Sequence, residues 1–254
     1  MTVALFLCAI SFLAGFVDAI AGGGGLIQLP ALLLCLPQVP VATVLGTNKL
    51  AAFAGTAVAA GRYAAQVDLH WRATLPAAVA ACLCSFAGAR VVTLLRPELL
   101  RPAIFVLLIV IALYTFLKKD FGLHHLPRLT TRQQWLFGIA AGAVIGFYDG
   151  IFGPGTGTFL MVVFVSVFGF DFLSASASSK VVNAATNFAA LLYFAWTGHI
   201  IYRFAAPMAA CNILGSLLGT RLAIMKGSAL VRVLFLLVTL AMIVKFGCDL
   251  FLPR

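Results

Sequence analysis

The sequence predicts an all-α integral membrane protein built from two homologous halves that contain broken helices. Three observations lead to this fold class: a very apolar composition, long charge-free runs, and a second half that repeats the first. Hydrophobic residues make up 63% of the 254 positions, charged residues only 9%, and the mean hydropathy is +1.11. A water-soluble domain needs a charged and polar shell, so this composition excludes a soluble enzyme or a soluble binding module.

The charge-free runs indicate helices that cross a lipid bilayer. An α-helix of about 20 apolar residues spans a hydrocarbon core of about 30 Å. The apolar residues follow one another continuously, whereas the strands of a membrane barrel would alternate. We expect eight to ten membrane segments, drawn from the runs Thr2 to Val17, Ala19 to Asn48, Ala73 to Ala89, Pro102 to Leu117, Gln133 to Tyr148, Ile151 to Phe170, Val181 to Tyr202, Phe204 to Thr220 and Val233 to Val244.

The net charge of +10 does not indicate a nucleic-acid partner. Lysine and arginine lie mainly in the breaks between apolar runs and form no basic stripe, which is typical of charges that set topology or snorkel to the membrane interface. The six cysteines and four histidines show no metal-site spacing. We therefore expect no metal, no cofactor and no nucleic acid, and the remaining partners are the lipid bilayer and a small substrate.

The second half of the chain repeats the first at a constant offset of 131 residues. This predicts a first membrane repeat over residues 1–118, a linker over 119–132 and a second membrane repeat over 133–254. Duplicated halves with a midplane site at discontinuous helices are typical of secondary transporters. An odd number of crossings per half would make the repeats inverted, which is the arrangement we expect. The offset pairs Gly15 with Gly146, Phe16 with Phe147, Asp18 with Asp149, Gly22 with Gly153, Gly24 with Gly155, Lys49 with Lys180, Arg72 with Arg203, Pro76 with Pro207, Gly88 with Gly219, Arg90 with Arg221, and Arg101 with Arg232.

A glycine-rich break follows the first helix of each half. The segment GFVDAIAGGGGL at Gly15 to Leu26 is mirrored by GFYDGIFGPGTG at Gly146 to Gly157. Each helical glycine costs roughly 0.5 to 1 kcal/mol relative to alanine, so each helix should stop and restart, with Pro154 and Thr156 as first helical position and cap of the second restart. Free N–H groups and the positive end of a helix dipole favour an anion. The candidate substrate-binding residues here are Gly22, Gly23, Gly24, Gly153, Gly155 and Thr156.

Close helix packing is the competing explanation for these glycines. Gly138, Gly142, Gly146 and Gly150 form a ladder with four-residue spacing, as in membrane helices that pack through small residues. For this ladder we expect packing to be the main role.

A buried lysine follows each break. The segment LGTNKLAAFAGT at Leu45 to Thr56 is mirrored by ASSKVVNAATN at Ala177 to Asn187. A charge at membrane depth costs from about 2.5 to more than 10 kcal/mol unless it is paired or faces water. Neighbouring polar residues should line a cavity with the lysines, since positions three and four apart share a helix face. The candidate substrate-binding residues here are Thr47, Asn48, Lys49, Ser178, Ser179, Lys180, Asn183 and Asn187.

Asp18 and Asp149 have two interpretations. Each carboxylate could pair with the lysine of its own half as a structural ion pair. Alternatively, the lysines meet an anionic substrate while a carboxylate takes part in coupling to a proton or a sodium ion.

At these residues the chain resembles the TauE/SafE family of sulfite-exporter-like permeases, and its second break is similar to the YfcA-like branch. The resemblance covers nearly the whole chain. It rests on the aspartate and glycine run of the first helix, the GTNK segment, the repeat of both, and the asparagine-containing stretch after Lys180. It implies a multi-pass protein of the bacterial inner membrane that moves sulfite, thiosulfate, sulfoacetate or another sulfur-containing organic anion.

The leading functional hypothesis is a secondary transporter that moves a small anion, a sulfur oxyanion or organosulfonate, by alternating access between the two halves. An anion channel lined by the same residues is the alternative. An intramembrane enzyme is a weaker hypothesis, because no histidine lies within an apolar run at a plausible membrane depth, where it could serve as a base. Coupling to a proton or sodium ion and assembly into a homo-oligomer both remain open at this stage.

Overall fold

The structure, a computed structural model, describes residues 2–91 and 129–251. Within these ranges the chain is helical and contains no strand. The apolar run Pro102 to Leu117 and residues 119–128 of the predicted linker fall outside the described residues. Residues 129–132 of the linker are described, and residues 131–132 already belong to a helix. The helices are α1 (Thr2–Ala21), α2 (Gly24–Cys35), α3 (Val41–Gln66), α4 (Trp71–Val91), α5 (Thr131–Ile151), α6 (Thr156–Ser166), α7 (Phe172–Trp196) and α8 (Tyr202–Phe251).

Five of the described helices are long and apolar enough to cross a membrane. Large apolar side chains such as Leu5, Leu83 and Val144 are exposed on their outer faces, where lipid can solvate them. The all-α membrane fold predicted from composition is therefore confirmed, and the chain is a multi-pass membrane protein. The spans are Val3–Ala21, Val41–Gln66, Trp71–Val91, Thr131–Ile151 and Tyr202–Ala241.

Helices that correspond at the 131-residue offset begin at corresponding positions and run in opposite directions. α3 and α7 begin at Val41 and Phe172, and α4 and α8 begin at Trp71 and Tyr202. Near one end of the α3 and α7 pair, the Ser176 hydroxyl donates to Tyr63 Oη over 3.4 Å. Towards the other end, Lys49 Nζ donates to Asn187 Oδ1 over 3.0 Å. Rising residue numbers in α3 meet falling numbers in α7, so the two helices are antiparallel, as in inverted repeats.

The helices pack as two bundles that exchange one helix between the halves. The first bundle contains α1, α2, α3 and the part of α8 before Gly227, and the second contains α4, α5, α6 and α7. α1 packs closely on α8, since a Cβ built at Gly219 would lie 2.5 Å from the carbonyl oxygen of Phe16. α3 and α7 form the main contact between the bundles. Each bundle thus takes three helices from one half and one from the other.

The glycine ladder of α5 packs directly against the backbone of α4. A Cβ built at Gly138 would lie 2.9 Å from the carbonyl oxygen of Ala73, and Cβ atoms at the next three glycines would overlap the α4 backbone. The predicted packing role of this ladder therefore agrees with the structure. The ladder glycines face Ala73, Ala77, Ala81 and Ser85 in turn.

Gly227 divides α8 into two helical segments. Its φ of 69° and ψ of −166° are not helical, and this left-handed φ favours glycine. Directly after it, the Ser228 hydroxyl donates to Asp171 Oδ1 over 2.7 Å, at the residue that caps the start of α7. The second segment then runs back past the first break, where the Cγ1 of Val238 lies 3.0 Å from a Cβ built at Gly23.

Candidate functional site

The first break separates α1 from α2 at two left-handed glycines. Gly22 and Gly23 have φ angles of 76° and 89°, a region that glycine enters without a steric penalty. Gly24 is helical, and its backbone N–H donates to Asp18 Oδ1 over 3.2 Å. A Cβ at Gly24 would lie 2.5 Å from the carbonyl oxygen of Ala14 and 2.7 Å from the Cβ of Asp18. Gly24 is therefore required for close packing, while Gly22 and Gly23 are required for the turn.

The second break separates α5 from α6 and restarts differently from our expectation. Gly153 and Gly155 have φ angles of 88° and 87°, and Gly155 is the N-cap of α6. The assignment of Pro154 as first helical position and Thr156 as cap is therefore wrong. The turn extends through the left-handed residue Gly155, and the helix begins only after it. Thr156 is instead the first helical residue, and its hydroxyl donates to Asp149 Oδ1 over 2.7 Å.

The two breaks contact each other inside the protein. A Cβ at Gly22 would overlap the backbone of Gly157, and the Thr158 hydroxyl donates to the carbonyl oxygen of Ala21 over 3.4 Å. Neither N-cap, Gly23 nor Gly155, has a side chain to bond the free N–H groups of its helix. Each helix start carries roughly half a positive charge and each helix end, at Ala21 of α1 and Ile151 of α5, roughly half a negative charge, so the contact brings two helix starts and two helix ends together.

Two buried ion pairs lie beside the breaks, and each joins the two halves of the chain. Lys49 Nζ lies 2.6 Å from Asp149 Oδ2, and Lys180 Nζ lies 3.0 Å from Asp18 Oδ2. The lysines are only 3% and 0% exposed. Pairing within each half is therefore wrong, because the α3 and α7 contact between the bundles brings each lysine to the carboxylate of the other half.

The predicted polar stripe of α7 serves the lysine of the other half. Asn187 Oδ1 accepts a hydrogen bond from Lys49 Nζ over 3.0 Å, and Asn187 Nδ2 donates to Asn183 Oδ1 over 3.4 Å. Lys49 Nζ thus has two acceptors, Asp149 and Asn187, and an ammonium group has three donors. One donor remains for a ligand.

One cavity lies between the two bundles. The two glycine breaks, the Lys49–Asp149 pair and the polar stripe of α7 surround it. Its empty volume is about 440 Å³, part of it open solvent. The residues predicted from the sequence that line this cavity are Asp18, Gly23, Gly24, Asn48, Lys49, Asp149, Gly153, Gly155, Thr156, Asn183 and Asn187.

The other predicted residues lie behind the cavity wall. Thr47 Oγ1 accepts a hydrogen bond from the backbone N–H of Ile201 over 3.0 Å, and the Ser179 hydroxyl donates to the carbonyl oxygen of Ser176 over 2.8 Å. Lys180 contacts Asp18, which itself lines the cavity. Thr47, Ser179 and Lys180 thus bond to other parts of the protein, whereas the buried Ser178 hydroxyl has no partner among the described residues. The set comprises Gly22, Thr47, Ser178, Ser179 and Lys180.

Sequence reasoning missed a polar wall formed by α2 and α8. Asn212 Nδ2 donates to Gln28 Oε1 over 2.9 Å, and both residues line the cavity. Gln28 Nε2 is buried without a hydrogen-bond partner among the described residues, a condition that costs about 1 to 3 kcal/mol. The signal in the sequence was the position of Gln28 inside an apolar run. It is weaker than the signal of a lysine, because an uncharged amide costs less to bury than a charge. The cavity-lining residues that were not predicted are Ala14, Gly25, Gln28, Ala52, Thr56, Gly157 and Asn212.

Comparison with known proteins gives one consistent result. The family model described as "Sulfite exporter TauE/SafE" matches residues 7–246. "Probable membrane transporter protein ORF9" of Sinorhizobium is 36% identical over 244 residues, 96% of this chain and 92% of the relative. A "Probable membrane transporter protein" of Haemophilus influenzae is 33% identical, covering 97% and 94% of the two chains. "Probable membrane transporter protein YfcA" of Escherichia coli is 34% identical, covering 94% and 88%. No solved structure matches the chain.

Proposed function

Because this chain belongs to the sulfite exporter TauE/SafE family, we propose that it is a secondary transporter of a small anion in the bacterial inner membrane. The relatives are named as probable membrane transporters, which favours transport over catalysis. The observation that carries the proposal is the cavity between the two bundles, where two helix starts meet a buried lysine.

The charges around the cavity favour one negative charge in the ligand. Two lysines and two aspartates cancel one another in the crossed ion pairs. The starts of α2 and α6 each carry roughly half a positive charge, and the ends of α1 and α5 at the same breaks carry roughly half a negative charge each. A monovalent anion that enters together with a proton on Asp149 would therefore leave the charge of the buried site unchanged, and this matters because an unbalanced charge is expensive at this depth.

A sulfur oxyanion or organosulfonate fits the donors that line the cavity. Part of this space is open to solvent, and the side chains of Lys49, Asn183 and Asn187 line it. The third N–H of Lys49 and the positive starts of α2 and α6 suit the oxygen atoms of such an anion. The family's description as a sulfite exporter points to the same class of substrate.

The sequence analysis expected the two halves to move against each other in alternating access. We propose instead that the two bundles are the moving bodies. α4 and α8 are exchanged between the halves, so the halves cannot separate as units. Each ion pair joins one bundle to the other: Lys49 on α3 to Asp149 on α5, and Lys180 on α7 to Asp18 on α1. A proton that binds Asp149 would release Lys49 for the anion, and this supplies a route to proton coupling. A sodium ion at the same carboxylate is the other form of coupling.

Uptake into proteoliposomes tests this proposal. Radiolabelled sulfite, with a panel of sulfonates as competitors, should enter saturably and faster when a proton or sodium gradient is imposed. The Lys49→Met with Asp149→Asn protein, which leaves no unpaired charge of the Lys49–Asp149 pair, is reconstituted in parallel as the control for leak. A current that rises linearly with voltage and does not depend on the proton or sodium gradient would indicate an anion channel and contradict the proposed transport mechanism.

A further inference from the structure

Gln28 presents a free hydrogen-bond donor to the cavity. It lies on α2, is 1% exposed and lines the same cavity as Lys49. Its Oε1 accepts from Asn212 Nδ2 over 2.9 Å, and the Ser11 oxygen lies 3.4 Å away with its one proton donated to the carbonyl oxygen of Met208. Asn212 therefore fixes the oxygen end of the amide on the α8 side. The opposite end, Nε2, is buried and has no partner among the described residues.

The polar wall of Gln28 and Asn212 has no counterpart in the second half. At the 131-residue offset, Gln28 corresponds to Phe159, Asn212 to Ala81 and Ser11 to Gly142. Phe159 belongs to the apolar core. The lysines, aspartates and glycine breaks occur in both halves, so the donor of Gln28 is a specialised addition to a site that is otherwise duplicated.

The polar cluster around Gln28 is arranged to hold the residue in place. The Ser11 hydroxyl donates to the carbonyl oxygen of Met208 over 2.7 Å, which ties α1 to α8 at this level. Asn212 in turn reaches Gln28 from α8. A cluster with only a structural role would be expected to satisfy its own donors. This one satisfies the oxygen of Gln28 and leaves the nitrogen free.

We propose that Gln28 is a substrate-binding residue whose Nε2 donates a hydrogen bond to an oxygen of the transported anion. Lys49 offers its third N–H to the same ligand. The substrate class is then an oxyanion with at least two acceptor oxygens, one for the ammonium and one for the amide. Asn212 is a positioning residue that acts through Gln28. The inference rests on the proposed transport function and deepens it.

Two substitutions at Gln28 separate binding from folding. Gln28→Met removes the donor, and we expect the KM for sulfite uptake to rise about tenfold with kcat nearly unchanged, as for loss of one hydrogen bond to a charged group. Gln28→Glu keeps an oxygen for Asn212 but offers an ionised acceptor in place of the donor. When protonated, the glutamic acid regains an O–H donor. The ratio of Gln28→Glu uptake to wild-type uptake should therefore rise as the pH falls from about 8 to about 5.

Gln134→Met, on the exposed start of α5 and far from the cavity, is the matched control and should leave the KM unchanged. Melting temperatures in detergent are measured for every variant. If the wild-type protein transports sulfite and the KM of Gln28→Met equals the wild-type KM, the role of Gln28 is overturned while the proposed function stands. A pH-independent ratio for Gln28→Glu, with both Gln28 variants melting earlier, would show a structural residue and also overturn it. Wild-type protein that neither binds nor transports any oxyanion would overturn the proposed function and this inference together.

Discussion

Lys49 and Lys180 are each held by a carboxylate from the other half of the chain. Removal of one partner from a buried pair leaves an uncompensated charge, which destabilises a protein by about 3 to 5 kcal/mol. The lysines are therefore coupled to folding as well as to any anion. Substitutions at these positions are informative only when the charge of the partner is changed at the same time.

The first prediction concerns the crossed pairs. Lys49→Met alone should lower the melting temperature, and Lys49→Met with Asp149→Asn should restore it because the stranded carboxylate is removed. The restored protein should not transport, since nothing replaces the charge that meets the anion. Melting in detergent and sulfite uptake in proteoliposomes measure the two effects.

Lys49→Met with Asp18→Asn is the control, because those two residues belong to the same half and do not form a pair. It should fold worse than either single variant, since it strands Asp149 and also Lys180. Equal rescue by both double variants would contradict the crossed pairing. Full transport by Lys49→Met with Asp149→Asn would show that Lys49 does not bind the substrate.

The second prediction uses two adjacent glycines in the first break. A Cβ at Gly24 would lie 2.5 Å from the carbonyl oxygen of Ala14, whereas a Cβ at Gly25 meets nothing closer than Pro154 at 3.5 Å. Gly24→Ala should therefore destabilise the fold. Gly25→Ala should fold normally yet reduce uptake several-fold, because its methyl group would stand at the cavity wall beside the helix start. Normal uptake by a folded Gly25→Ala protein would place the anion elsewhere.

The helices make their strongest contacts across the sequence repeat. α4 packs on α5 through the glycine ladder, and α8 packs on α1 through Gly219. Backbones in such close contact interlock and resist sliding. The α3 and α7 interface between the bundles instead carries larger side chains such as Phe53 and Phe188, whose rings lie 5.5 Å apart. Relative motion is therefore expected at α3 and α7.

The third prediction locks that interface. In a background without native cysteines, Phe53→Cys with Phe188→Cys joins α3 to α7, and a short bifunctional thiol reagent should stop transport by fixing the bundles together. Phe86→Cys with Tyr193→Cys is the matched control, since those rings lie 5.8 Å apart on α4 and α7 within one bundle. Its cross-linking should leave most uptake intact. Equal inhibition of both pairs would contradict motion between the bundles.

Across the whole molecule, the two halves are related by opposite helix direction. Rising numbers in α3 meet falling numbers in α7 at both ends of the pair. The same relation sets the starts of α4 and α8 at opposite ends of the bundles. Arginines that correspond in sequence, Arg72 and Arg203, follow those starts directly and are exposed.

The fourth prediction is that Arg72 and Arg203 lie on opposite faces of the membrane. Single cysteines at the two positions, in a cysteine-free protein, should react with an impermeant thiol reagent from opposite sides of sealed vesicles. Permeabilised vesicles should label both and serve as the control for reactivity. Labelling of both positions from one side would establish parallel repeats.

The membrane class, the broken helices and the buried lysines could be predicted from the amino-acid sequence, because each has a local cause. Hydropathy follows from composition, left-handed turns from runs of glycine, and the rarity of a membrane lysine from the cost of burying its charge. Most of the cavity lining, including Asp18, Gly23, Lys49 and Asn187, could be named in advance for that reason. The repeat also marked these residues, since they occur in both halves.

The pairing of charged and polar residues across the two halves could not be predicted, because it depends on long-range helix packing. Lys49 and Asp149 are separated by 100 positions, and nothing in a local pattern distinguishes that pairing from one with Asp18. The exchange of α4 and α8 between bundles selects it, because helix packing is chosen by the shape of whole faces. Gln28 escaped prediction for a related reason: it has no repeated counterpart, and its role depends on Asn212, a residue 184 positions away. Local chemistry shows which residues need a partner, and long-range packing supplies that partner.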